Sequence, residues 1–147
     1  MHHKRSFRRK LQAFFLSLLL VLLTVAGVPS AAYTAEAASA DTTMAVHFLD
    51  VGQGLSILVQ SQGQNLLYDG GDREYSSFVV SYLQNQNIST IDYMISSHYD
   101  EDHVAGLVGC LDSFSVKNVI GADYVQDTKI YQSFENSVAA QGLTVQH

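Results

Sequence analysis

Ile91-Asp92-Tyr93-Met94-Ile95, followed through Ser96 by Ser97-His98-Tyr99-Asp100-Glu101-Asp102-His103, decides how this chain is read. The apolar run reads as a strand. The polar run after it places four potential metal ligands, His98, Asp100, Asp102 and His103, within six residues. His98, Asp100 and Asp102 alternate, so an extended backbone points them to one side. His103 turns onto the same centre if a helix begins there, and Val104-Ala105-Gly106-Leu107-Val108 can open one. Imidazole nitrogens and carboxylate oxygens are the donors of a hydrolytic zinc site.

Upstream of this stretch, Met44–Leu49, Leu55–Gln60 and Asn65–Tyr68 read as three short strands. The turns between them contain Gly52-Gln53-Gly54 and Gln62-Gly63-Gln64, so an antiparallel meander is expected. The period then changes. Phe78, Val79, Tyr82 and Leu83 mark an amphipathic helix over about Glu74–Gln86. Downstream, a short helix over Gly106–Phe114 and a strand over Lys117–Ile120 follow. Asp127 reads as the N-cap of a helix with the stripe Ile130, Phe134 and Val138; Gly142 ends it, and Leu143–Val145 begins another strand. Strands first, then alternating helix and strand, predict an α/β sheet covered by helices on at least one face.

The N-terminal region has a different composition. Residues 1–10 carry Lys4, Arg5, Arg8, Arg9 and Lys10 and no acid, Phe14–Leu23 is almost unbroken Phe, Leu and Val, and small residues lead to Ala38-Ser39-Ala40. That order reads as a secretory signal peptide over residues 1–40, with an uncleaved membrane anchor as the alternative. Cleavage leaves residues 41–147 as one modest domain with 3 basic and 13 acidic residues, a formal charge of −10. No stable membrane association is then expected, and the protein is secreted or extracytoplasmic. Such a balance argues against a broad electrostatic grip on nucleic acid, which needs Lys and Arg at the phosphates. Cys110 is the lone cysteine, so no internal disulfide is possible, and it reads as a small buried helix residue.

Three motifs together resemble one family. They are Phe48-Leu49-Asp50-Val51-Gly52-Gln53-Gly54, Leu66-Leu67-Tyr68-Asp69-Gly70-Gly71 and His98-Tyr99-Asp100-Glu101-Asp102-His103. The last resembles the His-x-His-x-Asp-His signature of the metallo-β-lactamase-fold hydrolases. The set resembles the branch that includes the hydrolase domain of the competence DNA-uptake channel, which often has Asp at the position of Asp100. The resemblance spans about Val46 to Gly121.

It implies an αββα sandwich with a metal site at one edge, of which this chain would carry the first half. It implies His98 and Asp100 at one ion and Asp102 and His103 at a second, with Asp102 also the catalytic residue that orients the reacting water. Asp69 would buttress the ligand loop, and Asp50 and Gln53 would lie at the rim. The implied cofactor is one or two Zn²⁺, with Mn²⁺ a competitor because Asp100 makes its site harder. The implied substrate is a small-molecule or nucleic-acid phosphoester. Leu55 departs from the branch, which usually has an acid after Gly-Gln-Gly. The absence of the family's second half, with its further ligands, leads us to expect a fragment of such an enzyme. The competing expectation is a secreted, non-catalytic module that keeps the fold and binds metal or a partner.

Other candidates read as structural. His47 belongs to a strand, Gly52-Gln53-Gly54 lacks the Lys-Ser/Thr of a phosphate loop, and Ser56 has no base nearby in sequence.

Overall fold

Alternation along three strands sets the architecture of the computed structural model, which describes residues 43–147. Strands β1 (Met44–Phe48), β2 (Ile57–Ser61) and β3 (Gln64–Tyr68) form the antiparallel meander. A 3₁₀ turn (Arg73–Tyr75) leads into α1 (Ser76–Asn85). Then come β4 (Thr90–Ile91), β5 (Tyr93–Ser96), α2 (Glu101–Ser113), β6 (Ser115–Val116), β7 (Val119–Gly121), α3 (Lys129–Ala140) and β8 (Val145–Gln146). The main sheet has the order β1-β2-β3-β5-β7-β8. β5 joins β3 in parallel, and β7 and β8 continue in parallel beyond it. The signal peptide and its cleavage point lie outside the described residues. No helix among the described residues is long and apolar enough to cross a membrane.

One face of the sheet is sealed. Leu58, Leu67, Met94 and Val119, which line up across four adjacent strands, are fully buried. They belong to one core cluster with Val79 and Leu83 of α1, Val104, Leu107, Cys110 and Leu111 of α2, and Phe134 and Val138 of α3. Burial in this core pushes the Cys110 thiol up to about 12, as desolvation of the thiolate requires. The opposite face carries Met44 (65% exposed), Val46 and Phe48 (76% exposed) of β1, with Tyr93 of β5. Among the described residues, therefore, one helical layer covers one side of the sheet.

Several expected boundaries move, for physical reasons. The expected strand across Ile91–Ser96 is two strands. Asp92 is buried between them, accepting from the Asn65 amide and from Lys117, and β4 pairs instead with β6 in a separate two-stranded sheet. The N-cap of α3 is Thr128, not Asp127, because the Thr128 side chain accepts from the Tyr131 amide. Helix α2 starts at Glu101, earlier than expected. Asp102 and His103 therefore lie in a helical turn, not on the extended run with His98 and Asp100. Acidic Glu101 and Asp102 in that first turn favour the early start through the helix dipole.

Candidate metal centre

The loop from Ser97 to Asp100 leaves the end of β5 and runs into α2. Tyr99 is fully buried, its ring against Tyr124, Tyr131 and Phe134, and its hydroxyl donates to the Ala122 carbonyl at 2.8 Å. Desolvation is the main reason its phenol is raised to about 12. This inward anchor leaves the neighbours His98 and Asp100 on the other side of the extended segment. Asp100 is the N-cap residue of α2, and its carbonyl accepts from the His103 and Val104 amides. Its carboxylate makes no capping bond, although Asp is a favoured N-cap. Instead Oδ2 lies 3.5 Å from His98 Nε2, and Oδ1 accepts from Gln126 Nε2 at 3.1 Å.

The helical turn brings His103 beside His98, with ring centroids 3.8 Å apart. Asp102 Oδ2 is 3.7 Å from His103 Nε2. Each imidazole thus faces one carboxylate, but the donor atoms that gather around one point are those of the two histidines and Asp69; Asp100 and Asp102 stand outside that group.

Asp69 lies beneath them. It follows β3 directly, has a left-handed φ of 56°, and is fully buried. Its Oδ1 accepts from the Ser97 amide at 2.8 Å. Its Oδ2 accepts from the Ser97 hydroxyl at 2.6 Å and pairs with His103 Nδ1 at 2.9 Å. Ser97 Oγ also lies 2.8 Å from His98 Nδ1. Hydrogen-bond accounting then assigns both tautomers. The serine proton goes to Asp69, so His98 Nδ1 must donate to Ser97 Oγ. His103 Nδ1 must likewise donate to Asp69, which as a carboxylate only accepts. In the neutral imidazoles that arrangement leaves the lone pair on Nε2, the form that binds a cation.

Asp69, His98 and His103 bring donor atoms within 4.8 Å of one another. Both oxygens of Asp69 already accept hydrogen bonds and its side chain is inaccessible, an arrangement suited to orienting the histidines. Three protein groups donate to this carboxylate, and no Lys or Arg among the described residues pairs with it. A divalent ion above the imidazoles would balance that charge, so the donor set fits the implied metal.

The motif glycines position these elements. Gly70 and Gly106 bring the loop after β3 against the backbone of α2, and a Cβ on Gly106 would overlap the Gly70 carbonyl. Gly70 N donates to His103 O at 2.7 Å and Gly106 N to Gly71 O at 3.0 Å, fixing the first turns of α2 over Asp69. The Gly-Gln-Gly loop meets the same turn through Leu55 N, 3.4 Å from Asp102 O. Asp50 and Gln53 on that loop are exposed. Asp50 Oδ1 accepts from the Gly52 amide, so the rim role expected of it shows here as a turn contact. Ser56 Oγ donates to the Asp69 carbonyl, and His47 Nδ1 meets the Tyr82 hydroxyl at 2.9 Å. Ser97 was not singled out from sequence, because its role depends on β3 and β5 being neighbours.

The profile of the metallo-beta-lactamase superfamily matches residues 49–128, and the chain belongs to that superfamily. Its fold is that of metal-dependent hydrolases. Among curated proteins, the chain is 35% identical over 77 residues to "Recombination protein 2" of Haemophilus influenzae, covering 49% of this chain and 10% of that protein. It is 35% identical over 86 residues to "Competence protein ComA" of Neisseria gonorrhoeae, covering 58% and 12%. The chain thus spans about a tenth of the length of the curated relatives it matches. Similar solved structures include the metallo-beta-lactamase SMB-1 (TM-score 0.45, 22% identity, 51% of this chain and 29% of that one). A metallo-beta-lactamase of Cronobacter sakazakii is also similar (TM-score 0.47, 19% identity, 53% and 30%).

Proposed function

We propose that this chain carries metal-binding residues of an exported, metal-dependent hydrolase acting on phosphodiester or related ester bonds. The observation that carries this reading is the pair of histidines with Nδ1 fixed by Asp69 and Ser97 and Nε2 free beside Asp100 and Asp102. His98 and Asp100 would hold one ion, and His103 and Asp102 a second. Zn²⁺ fits the imidazoles, and the carboxylates admit Mn²⁺. A divalent ion bound there supplies Lewis acidity and lowers the pKa of coordinated water toward neutrality. Asp102 orients the attacking water, Asp69 and Ser97 keep both imidazoles in their ligating tautomers, and the buried ring of Tyr99 holds the loop in register. Export rests on the basic and apolar N-terminal residues, and the phosphodiester class on the likeness to competence proteins. The bare sheet face with Met44, Val46 and Phe48 suits the second sheet of an αββα sandwich.

A non-catalytic, metal-binding module is the second reading. Leu55, which places an apolar side chain where the branch has an acid, favours it. Turnover of bis(p-nitrophenyl) phosphate by the full chain with Zn²⁺ or Mn²⁺, abolished by Asp102→Asn, is the result expected of the enzyme. Stoichiometric metal uptake without turnover would establish the module, and no metal uptake at all would refute both.

A further inference from the structure

We propose that a cleft beside the candidate metal centre binds the phosphate adjoining the one hydrolysed, with Arg73 and Lys129 as its cationic walls. The inference rests on the phosphoester reading above and names the substrate's second anionic group.

Residues 43–147 contain three Lys or Arg side chains, Arg73, Lys117 and Lys129. Lys117 is committed to the fold, its ammonium 2.7 Å from buried Asp92. The other two come from separate elements, the 3₁₀ turn and the first residue of α3, and line one open cleft of about 480 Å³. The lining also carries the carboxylates of Asp100 and Glu101, so the cleft is formally balanced, in a chain whose other surfaces are mostly acidic; two cations from separate elements give an anion a place to bind once Glu101 is displaced. Tyr99, Asp100 and Gln126 line it as well. Asp100 joins the cleft to the metal centre, one carboxylate oxygen toward His98 and the other bonded to Gln126.

Neither cation is explained by stability. The Lys129 ammonium has no ion pair or hydrogen bond among the described residues. It also stands at the start of a helix whose first turn holds no acid, where the helix dipole disfavours a positive charge. Arg73 meets Glu101 through Nε at 3.1 Å and Nη2 at 3.0 Å, both on one carboxylate oxygen. The pair is exposed, so solvent screens it, and the remaining guanidinium donors can fork onto a phosphate. Glu101 then acts as a competitor for Arg73 that an incoming phosphate must displace.

The test compares two probes on the full chain, the dinucleotides TpT and 5′-phosphorylated pTpT. Competition binding to the metal-free protein and kcat/KM of the metal-loaded protein are both measured. We expect pTpT to be preferred by roughly tenfold at low salt, with the preference shrinking as salt rises. Lys129→Gln and Arg73→Gln should each reduce the preference several-fold, the double variant should remove it, and Glu101→Gln should increase it. All three side chains are exposed, so circular dichroism should show folding intact. Equal binding of the two probes by the wild type, or a preference that survives in the double variant, would overturn the proposal. Failure of the phosphoester reading is separate: neither probe would be hydrolysed, while metal-free binding would still report on the cleft.

Discussion

Asp69, just past the end of β3, and Asp92, just before the start of β5, are buried carboxylates at opposite ends of neighbouring parallel strands. Asp92 is matched by a cation. The hydrogen bond from Lys117, helped by the Asn65 amide, holds its carboxyl below the usual carboxylate range. Asp69 has comparable burial but is surrounded by an amide, a hydroxyl and an imidazole, with no Lys or Arg among the described residues beside it. The difference shows how the two ends are used. One carboxylate is neutralised within the fold and closes a strand junction. The other leaves a charge that a ligand at the C-terminal edge can balance. Ligand sites at the C-terminal ends of parallel strands are a general property of such sheets.

Exchanging each carboxylate for its amide should separate the two roles. Asp69→Asn should weaken Zn²⁺ binding by about 10- to 100-fold, the usual effect of losing a group that orients a ligand. Calorimetric titration reads this directly, and unchanged affinity would remove Asp69 from the centre. Asp92→Asn should leave Zn²⁺ affinity alone and lower unfolding free energy in urea by about 1–2 kcal/mol, since the exposed Lys117 end is screened. The same junction should respond to pH. The depressed carboxyl of Asp92 contributes stability that is fully present above its unfolded pKa of about 3.9 and is lost as pH falls through the folded value. The advantage of wild type over Lys117→Met should therefore be full near neutrality and vanish in acid. A gap that stays constant down to strongly acidic pH would show that Lys117 acts by packing alone. Ser97→Ala removes the acceptor that fixes His98, and several-fold weaker Zn²⁺ binding is expected, against none if His98 is free to rotate. Tyr99→Phe is the mildest, about 1 kcal/mol for one hydrogen bond to Ala122.

Local pattern revealed much of this chain, and long-range pairing decided the rest. The meander was legible because three short apolar runs are separated by glycine-marked turns. The stripe Ile130, Phe134 and Val138 identified α3 because helix spacing and burial agree there. The crowding of His98, Asp100, Asp102 and His103 was visible as spacing, but the expectation that an extended run aims them to one side misses the local geometry. That geometry is set by α2 starting at Glu101, which takes Asp102 and His103 out of the extended run. β4 and β6 are two-residue pairings with no period to detect, so they escaped. Ser97 escaped for a similar reason. A serine beside a histidine says nothing until β3 and β5 lie side by side and bring Asp69 beneath it. The Arg73 and Lys129 cleft joins two distant segments and was equally invisible.

The outermost strand, Met44–Phe48, has a practical consequence. It holds an outer position in the sheet order and contains neither a charged residue nor a proline, two of the usual gatekeepers against strand-to-strand association. Among the described residues its outer backbone rim has no strand partner, and that rim with its greasy side invites self-association as the concentration rises. Light scattering across a dilution series should accompany every affinity measured on this chain, and a lysine in place of Val46 is the simplest way to keep molecules apart.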